Sequence, residues 1–191
     1  MDKPLDNANP IILNASQLPS RRHKPLPKGD EYDFNDSHTC GGGWLSLSSD
    51  EDEDMAPSPI DEQEVFDLIS TISDPEHPLT LGQLAVVNVP DIHISPAPLG
   101  PPDLNVITDV LVECTPTVNH CSLATVIGLA VRVRLEQALP PNYRIDVRMK
   151  DGSHAQDDQV NKQLADKERV AAALENDTLR GVLDKMLETC L

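Results

Sequence analysis

Apolar residues show no sustained period up to residue 59 and are regularly spaced beyond it. Ser58 can cap a helix that has Pro59 at its first position and Asp61, Glu62 and Glu64 in its first turn. Its apolar residues Val65, Leu68, Ile69 and Ile72 follow the spacing of one buried helix face. The run Asp74-Pro75-Glu76-His77-Pro78 stops it, because two prolines flank a polar pair. Thr80 and Gln83 suit a capping box for a single short turn.

Ile92 and Ile94 mark a first strand with His93 toward solvent, and Pro90 before it suggests an edge or a bulge. A proline-rich loop follows from Ser95 to Pro102. Between Val106 and Cys114 the even positions Val106, Val110, Val112 and Cys114 are apolar, with Thr108 among them, which predicts a strand with one buried face. Arg144 to Lys150 alternates strictly, and Asp151-Gly152 turns that strand back. The stretch Ser122–Leu139 fits a helix at Leu123, Val126, Ile127 and Ala130 but alternates like a strand from Val131 to Leu135. Its length and the Pro140-Pro141 stop favour one helix. Asp157 to Asn176 reads as one charged helix with Val160, Leu164, Ala171 and Leu174 on one side. Leu179, Val182, Leu183, Met186, Leu187 and Cys190 form a last amphipathic face. The order is helix, strands, helix, strand, two helices, which is an α+β domain.

Composition sharpens the boundary. Residues 1–59 hold 7 of the 17 prolines and 11 acids against 5 bases, too little apolar surface to offset ordering, so a disordered acidic tail is expected there. Residues 60–191 carry 42 Val, Ile, Leu and Met, enough for one aliphatic core. Within the tail, Arg21 to Lys28 is a basic run that reads either as a nuclear import signal or as ordinary tail sequence. Ser46 to Asp54 reads either as a substrate for an acid-directed kinase or as a solvating charge run. The net charge of -17 argues against direct nucleic-acid partners and against anionic membrane surfaces. No run reaches the ~18 apolar residues of a membrane span, and the N-terminus resembles no signal or transit peptide. A soluble cytoplasmic or nuclear protein is expected, with its four cysteines as thiols.

Cys121 is the most informative position. It follows His120 and precedes Ser122, where the long helix is expected to start. The helix dipole and an imidazolium neighbour would both favour its thiolate, hence nucleophilicity or metal affinity. The alternative is a buried small hydrophobe. Cys114, His120 and Cys121 could approach one another as a partial metal site, although strand alternation places Cys114 in the core. No complete metal, phosphate-loop or Ser-His-Asp motif is present. His77 with Asp74 and Glu76 is either an exposed recognition turn or a helix stop whose acids cap backbone amides. The charged face from Asn161 to Asn176, including Lys167, Glu168 and Arg169, is either solvated or a docking surface. His154 has no special context.

Three segments resemble the MIP-eighteen family: Asp74 to Leu81, Thr115 to Thr125 and Asn161 to Asn176. The resemblance covers about residues 60–190. It implies a small two-layer α+β domain like that of iron–sulfur assembly domains. It implies a non-enzymatic adaptor in the cytosolic iron–sulfur targeting complex, working with a WD-repeat propeller and a HEAT-repeat adaptor. That complex delivers clusters to cytosolic and nuclear apoproteins, so an indirect role in chromosome segregation follows. By resemblance Cys121 is the family's reactive cysteine, with His120 beside it, and Asp74 to Pro78 belongs to the functional surface. Any cluster on Cys121 would be transient rather than a tightly bound cofactor, and a homodimer is left open. Residues 161–176 lean toward the general targeting branch. The loop from Ser95 to Leu104 is longer than the family norm, and residues 1–59 have no counterpart that aligns. The rival reading is a thiol-dependent enzyme or stand-alone cluster carrier using Cys121.

Overall fold

The structure, a computed structural model, describes residues 12–20, 60–96, 106–117 and 123–190. Eight principal elements form an α+β domain: α1 (Glu62–Ser70), β1 (Ile92–Ser95), β2 (Thr108–Cys114), α2 (Ala124–Ala138), β3 (Tyr143–Met149), α3 (Asp157–Ala165), α4 (Lys167–Glu175) and α5 (Asp177–Leu187). β2 is central, antiparallel to β1 and parallel to β3. The parallel pair requires a crossover, and α2 supplies it. Ile92 pairs with Val112 and Val112 with Val147, so one face of the sheet is aliphatic and buried. The other face carries His93, Asp109, Arg144 and Arg148, all exposed. A sheet with one wet face and one face under helices is the expected two-layer arrangement. No helix among the described residues is long and apolar enough to cross a membrane.

The register of apolar positions holds along the strands, but several boundaries move, and in the charged stretch Val170 is buried where Ala171 was expected, Ala171 being exposed. α1 starts at Glu62 rather than at Pro59, because the Asp61 carboxylate accepts from the Glu64 amide at 2.8 Å and so caps the helix itself. β2 starts at Thr108, leaving Val106 and Ile107 exposed, the latter by 69%. The charged stretch after Asp157 is two helices, not one. Asp166 leaves helical geometry and its carboxylate accepts from the Glu168 and Arg169 amides, which caps α4. Asn176 repeats the device for α5. Val182, expected on the buried face of that helix, is partly exposed, whereas Leu183 and Met186 are buried.

α2 is the domain's central helix. Gly128 lets α3 approach so closely that a Cβ there would meet Leu164 Cδ1 at 2.5 Å. Arg132, buried within this helix, donates to the Leu164 carbonyl at 2.8 Å and to Glu136 at 2.9 Å. It thereby satisfies a carbonyl that the end of α3 leaves without a helical partner. Beside it, Asn161 of α3 accepts from the Met149 amide and donates to its carbonyl, completing the outer edge of β3.

Thr80 and Gln83 form the expected capping box, at 3.0 and 3.3 Å. The turn it opens closes with Val86 N–H on Leu81 O and Ala85 N–H on Gly82 O, the paired bonds of a Schellman ending. Ala85 takes the left-handed position, φ 53°, where glycine is usual. Within the N-terminal region, residues 12–20 lie against this part of the domain. The Leu13 amide donates to Gln83 O at 2.8 Å, Gln63 donates to Pro19 O at 3.0 Å, and Leu18 packs on the core.

Candidate functional site

The segment Ile72–Leu81 doubles back on itself. Leu81 N–H bonds Ile72 O, Asp74 N–H bonds Leu79 O, and Ser73 pairs with Thr80. At its tip Asp74, almost fully buried, uses one carboxylate oxygen for three donors. These are the amides of Glu76 (2.8 Å) and His77 (2.9 Å) and the His77 ring at Nδ1 (3.1 Å). A neutral His77 donating from Nδ1 keeps Nε2 as an acceptor. The acid caps backbone amides, as the helix-stop reading expects, and the histidine it orients is one-third exposed.

The turn is fastened to the end of α5. The Ser73 amide donates to Met186 O at 3.0 Å, Ser73 Oγ lies 3.1 Å from Thr189 Oγ1, and Thr189 Oγ1 donates to Thr71 O at 2.7 Å. Between turn and helix lies an open cavity of about 610 Å³. Asp74, Glu76 and His77 form one wall, while Gly181, Val182 and Lys185 stand on the other. Nothing in the period of α5 marks Gly181, Lys185 or Thr189 as wall residues; only the docking of the turn does.

Lys167, Glu168 and Arg169 occupy the first turn of α4, are exposed, and do not line this cavity. Arg169 lies 3.5 Å from Asp166. His120 and Cys121 lie outside the described residues. The expected helix start moves away from them: α2 begins at Ala124 with Leu123 as its cap, three positions after Cys121. Cys114 is fully buried, and burial, reinforced by the negative charge of Asp91, pushes its thiol up to about 12. It is core, as its alternation predicts, and is held in the neutral form at physiological pH. Among the described residues no group of three His, Cys, Asp or Glu is placed to hold a metal ion. His154, for which the sequence offered no context, is buried, and its Nδ1 accepts from the Gln156 amide at 3.1 Å.

Fold and site together define a small two-layer α+β domain with an open groove between a hairpin-like turn and its last long helix. No family model matches the chain. It is 46% identical to MIP18 family protein C144.16 of Schizosaccharomyces pombe over 195 residues, covering 100% of each chain. It is 53% identical to MIP18 family protein YHR122W of Saccharomyces cerevisiae over 155 residues, 81% of this chain and 62% of that one. The match therefore spans less than two thirds of the budding-yeast relative. The mouse protein named cytosolic iron-sulfur assembly component 2B is 42% identical over 183 residues, 96% of this chain and 91% of its own. The chain belongs to the MIP18 family. The full-length match to the fission-yeast relative also corrects the expectation that residues 1–59 have no counterpart.

Proposed function

We propose that this protein is a non-enzymatic component of cytosolic iron–sulfur protein assembly that helps deliver clusters to cytosolic and nuclear apoproteins. The observation that carries this is similarity, at 42% and 39% identity over 96% and 89% of this chain, to two proteins named cytosolic iron-sulfur assembly component 2B, from mouse and from Dictyostelium discoideum. In this reading Cys121, with His120 beside it, is the cluster-contacting or conformation-sensitive thiol, and the cluster is cargo rather than a resident cofactor. The groove at Asp74, Glu76 and His77 and the exposed turn Lys167–Arg169 are separate surfaces, suited to holding two partners at once. The partners are a WD-repeat propeller, a HEAT-repeat adaptor and client apoproteins. Effects on chromosome segregation follow indirectly, through nuclear clients. The basic run at Arg21–Lys28 is the proposed means of nuclear entry.

The test is Cys121→Ser in cells, read as the activity of iron–sulfur clients and as recovery of the complex by pull-down. Loss of client maturation with the complex intact is the expected result. Normal client activity in the variant overturns the role of Cys121. Turnover of thiol esters or disulfides by the purified protein would establish the enzymatic alternative instead.

A further inference from the structure

Asp74 is withdrawn from solvent, yet only half of its carboxylate is used. Its side chain is 4% exposed, and Oδ1 takes the Glu76 amide, the His77 amide and the His77 ring, while Oδ2 takes no donor among the described residues. A buried anionic oxygen without a partner carries a desolvation cost that a bound donor removes. Asp74 lines the open groove, which is the route by which such a donor arrives. The His77 ring, held 3.1 Å from Oδ1 through Nδ1, offers Nε2 as a second acceptor on the same wall.

The remaining groove residues set the charge and shape of the donor. Glu76 and Glu188 add two carboxylates to the lining, against one lysine, Lys185, on the opposite wall. Lys185 makes no ion pair among the described residues, so it does not neutralise them. The chain's net charge of -17 adds to the attraction for a cation. Among the described residues no three His, Cys, Asp or Glu are grouped to hold a metal ion, which favours an organic cation. Val182, exposed on the α5 side, offers an apolar surface for a methylene stem. We propose that the groove receives an arginine side chain of a partner protein, its guanidinium donating to Asp74 Oδ2 and to His77 Nε2. A guanidinium has five N–H donors in one plane and can serve both acceptors, whereas an ammonium is a point charge that holds its water more strongly. That the arginine belongs to a member of the assembly rests on the proposed function; that the groove binds a guanidinium does not.

The test is a titration of the purified full chain, followed by its amide resonances, with the blocked tripeptide Gly-Arg-Gly and its lysine and citrulline counterparts. The arginine peptide should shift the Glu76, His77 and Val182 amides, and added salt should weaken it. The citrulline peptide, uncharged and nearly the same shape, should not bind, and the lysine peptide should bind several-fold more weakly. Asp74→Asn keeps an oxygen for the two amides and the ring but replaces Oδ2 with a donor. It should weaken the arginine peptide about tenfold or more, with the His77 ring nitrogens and the thermal midpoint reporting an intact turn. Should that variant loosen the turn, Lys185→Glu changes an exposed side chain on the opposite wall and should tighten binding several-fold. No shift at the groove, equal binding of the lysine or citrulline peptide, or Lys185→Glu without effect overturns the proposal. The same shifts on concentrating the protein alone give the guanidinium to a second copy and overturn a separate partner. The titration needs no assembly machinery, so its outcome is independent of the Cys121→Ser test in cells.

Discussion

Helices α2 and α4 lie in one small domain and obey opposite rules. α2 buries eight of its fifteen residues, a charged Arg132 among them, whereas α4 buries only Val170. α2 is apolar nearly all round because neighbours meet it on several sides: α1, α3, α5 and β3 all pack against it. α4 is held by its caps, Asp166 before it and Asn176 after it, and by contacts with α3 and α5. The first helix is where the fold is decided. The second presents a surface that can change without unfolding the domain.

The largest expected effect comes from overfilling the α2–α3 contact. Gly128→Leu drives a side chain into Leu164, where even a Cβ has no room, and should cost about 3 kcal/mol or more in urea unfolding. A loss below about 1 kcal/mol would mean that α3 can step away and that α2 is not closely enclosed.

Next comes the chemistry of the enclosed side. In the folded state the Cys114 thiol is raised from 9.0 to about 12, so the unfolded chain releases that proton first. The associated stability is present below about pH 9 and falls as pH rises toward 12, by up to about 1.4 kcal/mol per pH unit. Denaturant unfolding between pH 8 and 10.5 should therefore show a steeper decline in the parent protein than in Cys114→Ala. Parallel declines would place water at this thiol.

Removing residues 1–20 should lower stability by about 1 kcal/mol, a few degrees in thermal midpoint. The deletion removes the bonds to Gln63 and Gln83 and the packing of Leu18. An unchanged midpoint would show that this strap contributes nothing to the domain.

The smallest effect on stability belongs to α4. Lys167→Glu with Arg169→Glu changes two exposed side chains and should stay within about 0.5 kcal/mol of the parent. Capture of the propeller or the adaptor should nevertheless fall. If both are captured normally, that face of α4 is only solvated.

The legibility of each element follows its surroundings. β1, β2 and β3 were readable because one face is buried and one is wet, which writes a period of two into Ile92–Ile94, Val110–Cys114 and Arg144–Lys150. α1 and α5 were readable for the analogous reason at the helical period, with errors at Val182 and at the helix ends, since α1 stops at Ser70 before Ile72 and α5 at Leu187 before Cys190. α2 left helix and strand in competition between Val131 and Leu135, since burial on several sides erases the period. The break at Asp166 escaped because a capping carboxylate looks like any other charge on a polar face until the backbone turns there. At the candidate site, Asp74, Glu76 and His77 stand within four residues of one another and could be read together. Lys185 and Thr189, more than a hundred positions away, could not.

By itself, then, the sequence determined the faces of the sheet, the aliphatic core, the turn at Asp74–Pro78 and the family to which those motifs belong. These rest on local spacing, which short-range sterics and hydrogen bonding convert directly into structure. Only the tertiary structure decided that Arg132 answers the Leu164 carbonyl, that Asn161 closes the edge of β3, and that Ser73 and Thr189 bring the turn against α5 to form a groove. Each of these joins residues far apart in the chain. Their pairing depends on how the helices stack on the sheet, a property that no local pattern encodes.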